Sequence, residues 1–229
     1  NDMRFDMMKL FPDLVDTVLG ESIIGRAQKS GAITVKTHNI RDYSEDKHRR
    51  VDDTPYGGGM GMVMQAEPIY RCWQAVCEQL GERPHTIYLS PQGKTLTQER
   101  VKELATLDNI ALLCGHYEGV DQRALDACID EEISIGDYIL TGGELAAMVL
   151  TDCVARFIPG VLGSGESAED ESFTTGLLEY PQYTRPREIE GMAVPEVLLS
   201  GDHAKIEAWR KAKALELTRE RRPDILDLR

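Results

Sequence analysis

Apolar and polar positions along this chain repeat with two different periods, which predicts a mixture of helices and strands. Helical spacing of apolar residues ends at a glycine in two places, and one helix is expected to begin at Pro12, because proline favours the first turn. The elements predicted before residue 85 are strands over 3–11 and 33–37, helices from Pro12 and over 22–29 and 66–80, and an aperiodic, mobile loop over 41–61.

Beyond residue 85 the pattern becomes regular, since each short apolar run is followed by a loop and then by a stretch with helical spacing. The predicted strands are 86–89, 110–113 and 132–135, and the predicted helices are 98–106, 120–128 and 143–157. Strands that alternate with helices usually pair in parallel, and the helices cover both faces of the sheet. The sequence therefore predicts an α/β fold with a parallel sheet and helices on both faces.

The composition changes near residue 163, where a run of small, polar and acidic residues begins that cannot bury apolar surface. An amphipathic helix is predicted near the carboxyl end, over 203–220. We therefore expect a main domain over 1–162, a mobile linker over 163–176, and a small, mainly helical domain over 177–229.

The charge of the chain is distributed unevenly. It carries 26 Lys and Arg against 39 Asp and Glu, a net charge of −13. Residues 201–229 hold eight basic and six acidic residues, so this tail has a net charge of +2 and the other 200 residues one of −15. Nucleic-acid binding depends on clustered Lys and Arg. The overall charge argues against such a partner, but the tail still allows a local basic patch.

The cysteines and the hydropathy of the chain indicate the cellular compartment in which the protein works. The five cysteines are Cys72, Cys77, Cys114, Cys128 and Cys153. Because their number is odd and no pair has CxxC spacing, we expect reduced thiols in the cytoplasm and neither a zinc site nor a disulfide framework. No apolar run approaches the roughly 20 residues needed to span a bilayer, so we expect no membrane partner.

Glycine-containing loops follow three consecutive predicted strands: the first loop (90–93), the second loop (114–119) and the third loop (134–143). Ligands of open α/β sheets bind at the carboxyl ends of strands, and glycine lets the backbone approach a ligand closely. Neither a GxxxxGK[ST] motif nor a GxGxxG turn is present, which argues against an ordinary phosphate or dinucleotide site. The pattern indicates either an unusual pocket or tight turns around packed helices.

The loops resemble the three cofactor loops of the bacterial tRNA (guanine-N1)-methyltransferases, which belong to the SPOUT superfamily. The matching sequences are YLSPQG at 88–93, CGHYEGVD at 114–121 and SIGDYILTGGE at 134–144. Further matches lie at 51–59, 156–163, 181–186 and 197–203. The resemblance extends from residue 11 to the carboxyl-terminal helix, and seven motifs in one order make it specific.

The resemblance implies a fold and a reaction that the periodicity does not predict. It implies a deep trefoil knot of the SPOUT type around residues 88–143, although knots are nearly absent from proteins. It also implies a homodimer that binds tRNA across both subunits and methylates N1 of the guanosine immediately 3′ of the anticodon. Magnesium dependence is associated with the family, but no ligand cluster in the sequence provides a site for the ion.

The resemblance also assigns the residues that would hold S-adenosyl-L-methionine. These cofactor-binding residues are Tyr88, Leu89, Ser90, Pro91, Gly115, Tyr117, Glu118, Gly119, Ser134, Ile135, Gly136, Asp137, Tyr138, Ile139, Leu140, Gly142 and Gly143. Two nearby positions depart from the family pattern. His116 stands where many members carry Arg, and Ala146 stands where Pro is common.

Methyl transfer to a ring nitrogen requires alignment of the reactants and removal of the N1 proton. Guanine O6 accepts hydrogen bonds, and arginine is its natural partner. The resemblance places this arginine at Arg156 and the proton acceptor at Glu171, where the family usually has Asp. Asp170, the preceding residue, is the alternative base.

Basic and polar residues in two regions are candidates for RNA contact, although exposed surface is the simpler interpretation of each. They are Lys47, His48, Arg49, Arg185, Ser200 and Lys205. Two other functions remain open at this point. One is a SPOUT-type methyltransferase acting on another RNA position, and the other is a non-catalytic RNA-binding module.

Overall fold

A computed structural model of the chain describes residues 2–163, 173 and 175–227. The chain forms two compact units, Asn1–Ser164 and Gly165–Arg229. The two candidate bases, Asp170 and Glu171, lie outside the described residues, as does most of the expected linker over 163–176. Within the part of the chain that is described, no helix is both long enough and apolar enough to cross a membrane.

Strands and helices alternate through the first unit. Its strands are β1 (Met3–Lys9), β2 (Ile33–Asn39), β3 (Asp52–Asp53), β4 (Val63–Met64), β5 (His85–Thr95), β6 (Asn109–Cys114), β7 (Gly119–Val120) and β8 (Glu131–Ser134). Its helices are α1 (Pro12–Leu19), α2 (Ser22–Lys29), α3 (Ala66–Leu80), α4 (Gln98–Leu104), α5 (Gln122–Cys128) and α6 (Glu144–Ala155). All six lie where the sequence predicts helices, with ends that differ by a few residues.

Five of these strands form one sheet in the order β2-β1-β6-β5-β8, and every pair is parallel. Successive side chains of a strand point to opposite faces. Ile110 and Leu112 of β6 accordingly join one buried apolar cluster, together with residues of α1, α2, α4 and α6. Ala111 and Leu113 join a second cluster with residues of α3 and α5. The predicted parallel α/β sheet is confirmed.

Strand β5 is longer than predicted, because it continues past residue 89 to Thr95. Its pairing with β8 is interrupted between Leu89 and Lys94 and then resumes, with Lys94 opposite Ile133. The first loop therefore leaves the sheet and returns to it. Pro91 and Gly93 end the apolar period at this point, so the pattern could not show that the strand resumes.

The prediction of a loop over 41–61 was wrong in part. Ile40–Tyr43 forms a 3-10 turn, and β3 pairs with β4. Strand β4 in turn pairs in parallel with β7, beside the second loop. Strands of two residues are too short to produce a detectable period. This three-stranded sheet connects Asp52–Asp53 and Val63–Met64 to the end of the second loop.

The second unit contains a hairpin of β9 (Glu188–Ile189) and β10 (Met192–Ala193), followed by helix α7 (His203–Arg221). The predicted helix is confirmed, although only Ala214 and Thr218 of it are buried, and the Asp202 carboxylate caps it by accepting a hydrogen bond from the Lys205 amide. Thr218 of α7 accepts a hydrogen bond from the Leu178 amide at 2.9 Å. The helix thus anchors the segment that enters this unit.

Candidate cofactor-binding site

A pocket of about 680 Å³ lies where the first, second and third loops meet. Because β6, β5 and β8 are neighbours and parallel, their carboxyl ends lie along one edge of the sheet. A pocket at that edge is the usual binding site of an open α/β protein, and its volume falls within the roughly 300–1,000 Å³ of small-molecule sites. The convergence of the three loops agrees with the sequence interpretation.

Most of the predicted cofactor-binding residues line this pocket. They are Tyr88, Leu89, Ser90, Pro91, Gly115, Tyr117, Glu118, Gly119, Ser134, Ile135, Gly136, Tyr138, Ile139, Leu140, Gly142 and Gly143. The exception is Asp137, which is exposed and does not line it. Sequence reasoning missed Gln122 and Leu125, which also line the pocket. They lie one helical turn apart on α5, directly after the second loop, and that spacing could have indicated them.

The glycines of the loops lie where backbones come close together. The Gly143 amide donates a hydrogen bond to the Gly115 carbonyl oxygen at 2.9 Å, and a Cβ at Gly143 would lie 2.9 Å from the Cα of Cys114. A Cβ at Gly93 would lie 2.5 Å from the carbonyl carbon of Glu132. No side chain fits at either position without a shift of the backbone. The loops therefore pack against one another as well as facing the pocket.

The first loop contributes a phenol and a buried hydroxyl. Ser90 is buried, and its Oγ accepts a hydrogen bond from the Gln92 amide at 3.2 Å. Tyr88 is half-buried, and a Cβ at Gly115 would lie 2.9 Å from its ring. Burial, assisted by the charge of Glu132, raises the pKa of the Tyr88 phenol. This hydroxyl remains protonated at neutral pH and is a hydrogen-bonding group.

The second loop is held by the segment around β4. The Glu118 amide donates to the Met62 carbonyl oxygen at 3.0 Å, and the His116 amide lies 3.3 Å from the Met64 sulfur. Tyr117 has a left-handed backbone with φ of 62°. Such a conformation is uncommon for an aromatic residue and persists only where the surroundings fix it. The second loop is therefore a fixed wall of the pocket.

The third loop is closed by its own hydrogen bonds. The Ser134 hydroxyl donates to the Gly136 carbonyl oxygen at 2.8 Å and accepts from the Gly136 amide at 3.1 Å. The Tyr138 hydroxyl donates to the Ile135 carbonyl oxygen at 3.3 Å. The rings and alkyl groups of Tyr138 and Ile139 are exposed at the pocket. They provide an apolar edge that a planar ring could contact.

Arg156 lies away from this pocket on the same chain. It caps the carboxyl end of α6, whose amino end follows the pocket residue Gly143. The 12 residues of α6 make the helix about 18 Å long at 1.5 Å per residue. Arg156 is not among the residues that line the pocket. The chain itself does not bring the predicted arginine to the predicted cofactor site.

The candidate RNA-binding residues are exposed in both units. Lys47, His48 and Arg49 follow the 3-10 turn, and Arg49 forms an ion pair with Asp42. In the second unit, Lys205 lies 3.8 Å from the Asp202 carboxylate. Arg185 and Ser200 are also exposed in this unit.

Among the residues that the structure describes, no group of three or more His, Cys, Asp or Glu could hold a metal ion.

The parallel sheet, its edge pocket and its three closely packed loops define an α/β protein with a candidate small-molecule site at the carboxyl ends of its strands. Over residues 3–228 the sequence matches the family described as tRNA (Guanine-1)-methyltransferase TrmD, and the chain belongs to this family.

Individual relatives are similar over nearly the whole chain. A tRNA (guanine-N(1)-)-methyltransferase of Ruminiclostridium cellulolyticum is 59% identical over 98% of this chain and 97% of its own length. Proteins with the same description from Lachnospira eligens and Geobacter sulfurreducens are each 56% identical over 98% of this chain, and over 95% and 91% of their own lengths. The similarity thus covers both units.

Proposed function

We propose that this protein transfers a methyl group from S-adenosyl-L-methionine to N1 of the guanosine immediately 3′ of the anticodon in tRNA. The reaction class and the substrate are supported by membership of the methyltransferase family and by the descriptions of its relatives. The observation that carries the site is the pocket formed by the three loops. Since tRNA is processed there, we place the reaction in the cytoplasm.

The pocket fits S-adenosyl-L-methionine in size and in chemistry. Its lining combines exposed apolar groups, such as those of Ile139 and Leu140, with the Glu118 carboxylate and with loop backbone. A carboxylate suits the ammonium group of the cofactor, and backbone amides and carbonyls suit an adenine edge. When bound, the cofactor supplies a methyl group on a positively charged sulfur. The residues named above as lining the pocket would hold it.

The remaining chemistry belongs to two side chains. The carboxylate of Glu171, or of Asp170 as the alternative, accepts the proton from N1 so that the nitrogen lone pair can bond to the methyl carbon. Arg156 donates hydrogen bonds to guanine O6 and stabilises the negative charge that develops there. No metal ion is needed for either step, and we assign no magnesium site.

We propose that the protein is a homodimer in which one subunit's Arg156 serves the pocket of the other. The distance between Arg156 and the pocket along α6 supports a shared site, because one chain cannot easily supply both. A face for a second copy is also present. Phe11, Leu14 and Val18 near α1 lie beside Leu145 and Val149 of α6, and all five are exposed apolar side chains. Exposed apolar patches of this kind mark interfaces.

Subunit association can be tested on this apolar face. Val18→Glu combined with Val149→Glu should convert the dimer into monomers, because two carboxylates would be buried at the interface. Multi-angle light scattering measures the mass, and Lys29→Glu on the exposed end of α2 provides the control. A dimer that withstands the double substitution would contradict this face as the interface.

We further propose that residues 88–143 form a trefoil knot. The path of the chain beyond the first loop supports this proposal. After pairing with β8 and leaving the sheet, the chain returns to β8, where the Leu96 amide donates to the Ser134 carbonyl oxygen at 2.8 Å. The third loop then packs on the second, as the Gly143–Gly115 hydrogen bond indicates.

The second unit is proposed to bind tRNA, as a domain over 177–229 joined through a linker over 163–176 to the cofactor domain over 1–162. Its exposed Arg185, Ser200 and Lys205 would contact the RNA backbone, together with Lys47, His48 and Arg49 of the first unit. The net charge of +2 over residues 201–229 supports RNA binding by the second unit. Phosphate contacts by these residues predict binding that weakens with salt.

A methyl-transfer assay with two tRNA transcripts tests the function. One transcript carries guanosine 3′ of the anticodon and the other carries adenosine at that position. We expect incorporation of labelled methyl only in the first. Equal incorporation would favour methylation at another RNA position, and no incorporation together with tRNA binding would favour a non-catalytic RNA-binding module.

The catalytic assignments are tested by single substitutions. Arg156→Ala and Glu171→Ala should each lower kcat about 10²-fold or more while cofactor binding is retained, because both groups act on the guanine. Full activity in Glu171→Ala with loss in Asp170→Ala would transfer the role of base to Asp170. Calorimetry with S-adenosyl-L-methionine monitors binding in each variant.

A further inference from the structure

We propose that His116 and Glu144 form a clasp that holds the second and third loops together, which makes His116 a positioning residue for cofactor binding. The inference rests on the proposed function, since it takes the pocket to be the cofactor site. It departs from a simpler view in which His116 only forms part of the pocket rim.

The Glu144 carboxylate joins three segments of the chain. Glu144 is the first residue of α6 and is only 2% exposed. Its Oε2 lies 2.5 Å from Nε2 of His116 in the second loop. Its Oε1 accepts a hydrogen bond from the Leu10 amide, directly after β1, at 3.4 Å. One buried side chain therefore links the end of β1, the second loop and the helix that follows the third loop.

Backbone contacts place the imidazole ring of His116 over the third loop. His116 and Gly142 form an isolated antiparallel bridge. A Cβ at Gly142 would lie only 2.1 Å from Cε1 of His116, so the ring occupies the space that a side chain would need. The Phe11 ring packs edge-on against the imidazole, with centroids 5.0 Å apart. The ring is thus confined by Gly142, Phe11 and Glu144.

Burial makes the pairing of Glu144 necessary. A buried carboxylate is costly unless it is hydrogen-bonded or balanced by charge. The Lys9 ammonium is also near Glu144; Lys9, at the end of β1, is almost fully buried and forms an ion pair with Asp16 at 3.8 Å. Burial lowers the pKa of the Lys9 ammonium, and the neighbouring carboxylates of Asp16 and Glu144 oppose that effect. Without His116, the Glu144 carboxylate would still lie near the Lys9 ammonium, but it would lose its hydrogen bond to the second loop.

The clasp predicts an effect on binding that a merely structural pair would not have. His116, Gly142 and Gly143 all line the pocket, so a second loop that is released from Glu144 changes the shape of the pocket itself. His85 and Glu131 provide a matched control, since their Nε2 and Oε2 atoms lie 2.7 Å apart. They are the first residues of β5 and β8, at the amino ends of strands whose carboxyl ends form the pocket.

The test compares His116→Ala, His116→Arg and His85→Gln with the unsubstituted dimer. Calorimetry gives the Kd for S-adenosyl-L-methionine, steady-state assays give KM and kcat, and thermal denaturation reports folding. We expect His116→Ala to raise Kd and KM for the cofactor about tenfold, the effect of losing one charge-assisted hydrogen bond, with a much smaller change in kcat. His116→Arg should restore affinity, because a guanidinium also pairs with a carboxylate. His85→Gln should lower only the melting temperature.

Other results would overturn the clasp. An unchanged Kd in folded His116→Ala would do so, as would an equal rise in Kd for His85→Gln. Glu144→Gln provides a second measurement, because its amide keeps the shape but loses the charge, and it should raise Kd less than His116→Ala does. If the unsubstituted protein failed to bind S-adenosyl-L-methionine, the proposed function would fail first, so the two failures are distinguishable.

Discussion

Replacement of Gly93 by alanine should displace the first loop without touching any proposed catalytic group. A Cβ at this position would lie 2.5 Å from the carbonyl carbon of Glu132 and 2.6 Å from both its oxygen and the Ile133 nitrogen. Ordinary van der Waals contact begins at 3.4 Å, so the two segments must separate by about 0.9 Å, the difference from 2.5 Å. All three opposing atoms belong to the backbone of β8, so no side-chain rotation can relieve the contact.

That separation should affect both the stability of the protein and the function of the site. Extra volume in a well-packed region typically destabilises a protein by about 1–3 kcal/mol. A misplacement near 1 Å in a binding site can also lower the rate about 10²-fold. Since the first loop carries Ser90 and Pro91 of the pocket wall, we expect a loss of cofactor affinity together with a loss of stability.

Urea denaturation and calorimetry with S-adenosyl-L-methionine measure both effects in Gly93→Ala. Lys94→Ala is the control, because this neighbouring side chain is exposed and its removal leaves the backbone in place. A Gly93→Ala variant that retains both the urea midpoint and the Kd of the unsubstituted protein would refute this prediction. That result would mean that β5 and β8 separate at no cost at this point.

Two further substitutions address stability. Thr86→Val should cost about 1–3 kcal/mol in urea denaturation, because it leaves the buried Trp73 indole N–H without the Thr86 Oγ1 that accepts its hydrogen bond at 3.0 Å; Thr86→Ser should retain most of the stability. Burial opposes ionisation of Asp6, yet hydrogen bonds from His38 and Arg4 hold the pKa of its carboxyl below the ordinary value. Its ionised form therefore stabilises the protein above about pH 4, and this contribution is lost as pH falls further. The difference in urea midpoint between Asp6→Asn and the unsubstituted protein should consequently be largest at neutral pH and shrink in acid, and a difference independent of pH would contradict the assignment.

Long elements with a clear period could be predicted from the sequence. Helix α3 was predicted at its observed bounds, and α7 within one residue, because each presents repeated apolar positions and ends with a recognisable signal. The strands β6 and β8 were predicted for a different reason, since buried parallel strands are short apolar runs between turns. Apolar periods, end signals and turn residues all lie within or beside the element that they predict, so the local sequence is enough to find it.

Features that depend on distant partners could not be predicted. His38 and His85 show no partner pattern in the sequence, yet they pair with Asp6 and Glu131, which lie 32 and 46 residues away. The return of β5 to β8 also depends on a neighbour about 40 residues further along the chain. Strand order decides these contacts, and periodicity carries no information on strand order.

The structure also changes what the loop glycines mean. The sequence left two explanations open, a ligand approaching the backbone or tight turns between packed elements. Gly93, Gly142 and Gly143 all face other protein atoms within 3 Å of a would-be Cβ, so packing against β8 or against the second loop already requires glycine at these positions. Such glycines would be needed even in a protein that bound nothing. A cofactor site is therefore supported by the pocket that the packed loops leave between them and by the family of the chain, and glycine content adds nothing to that support.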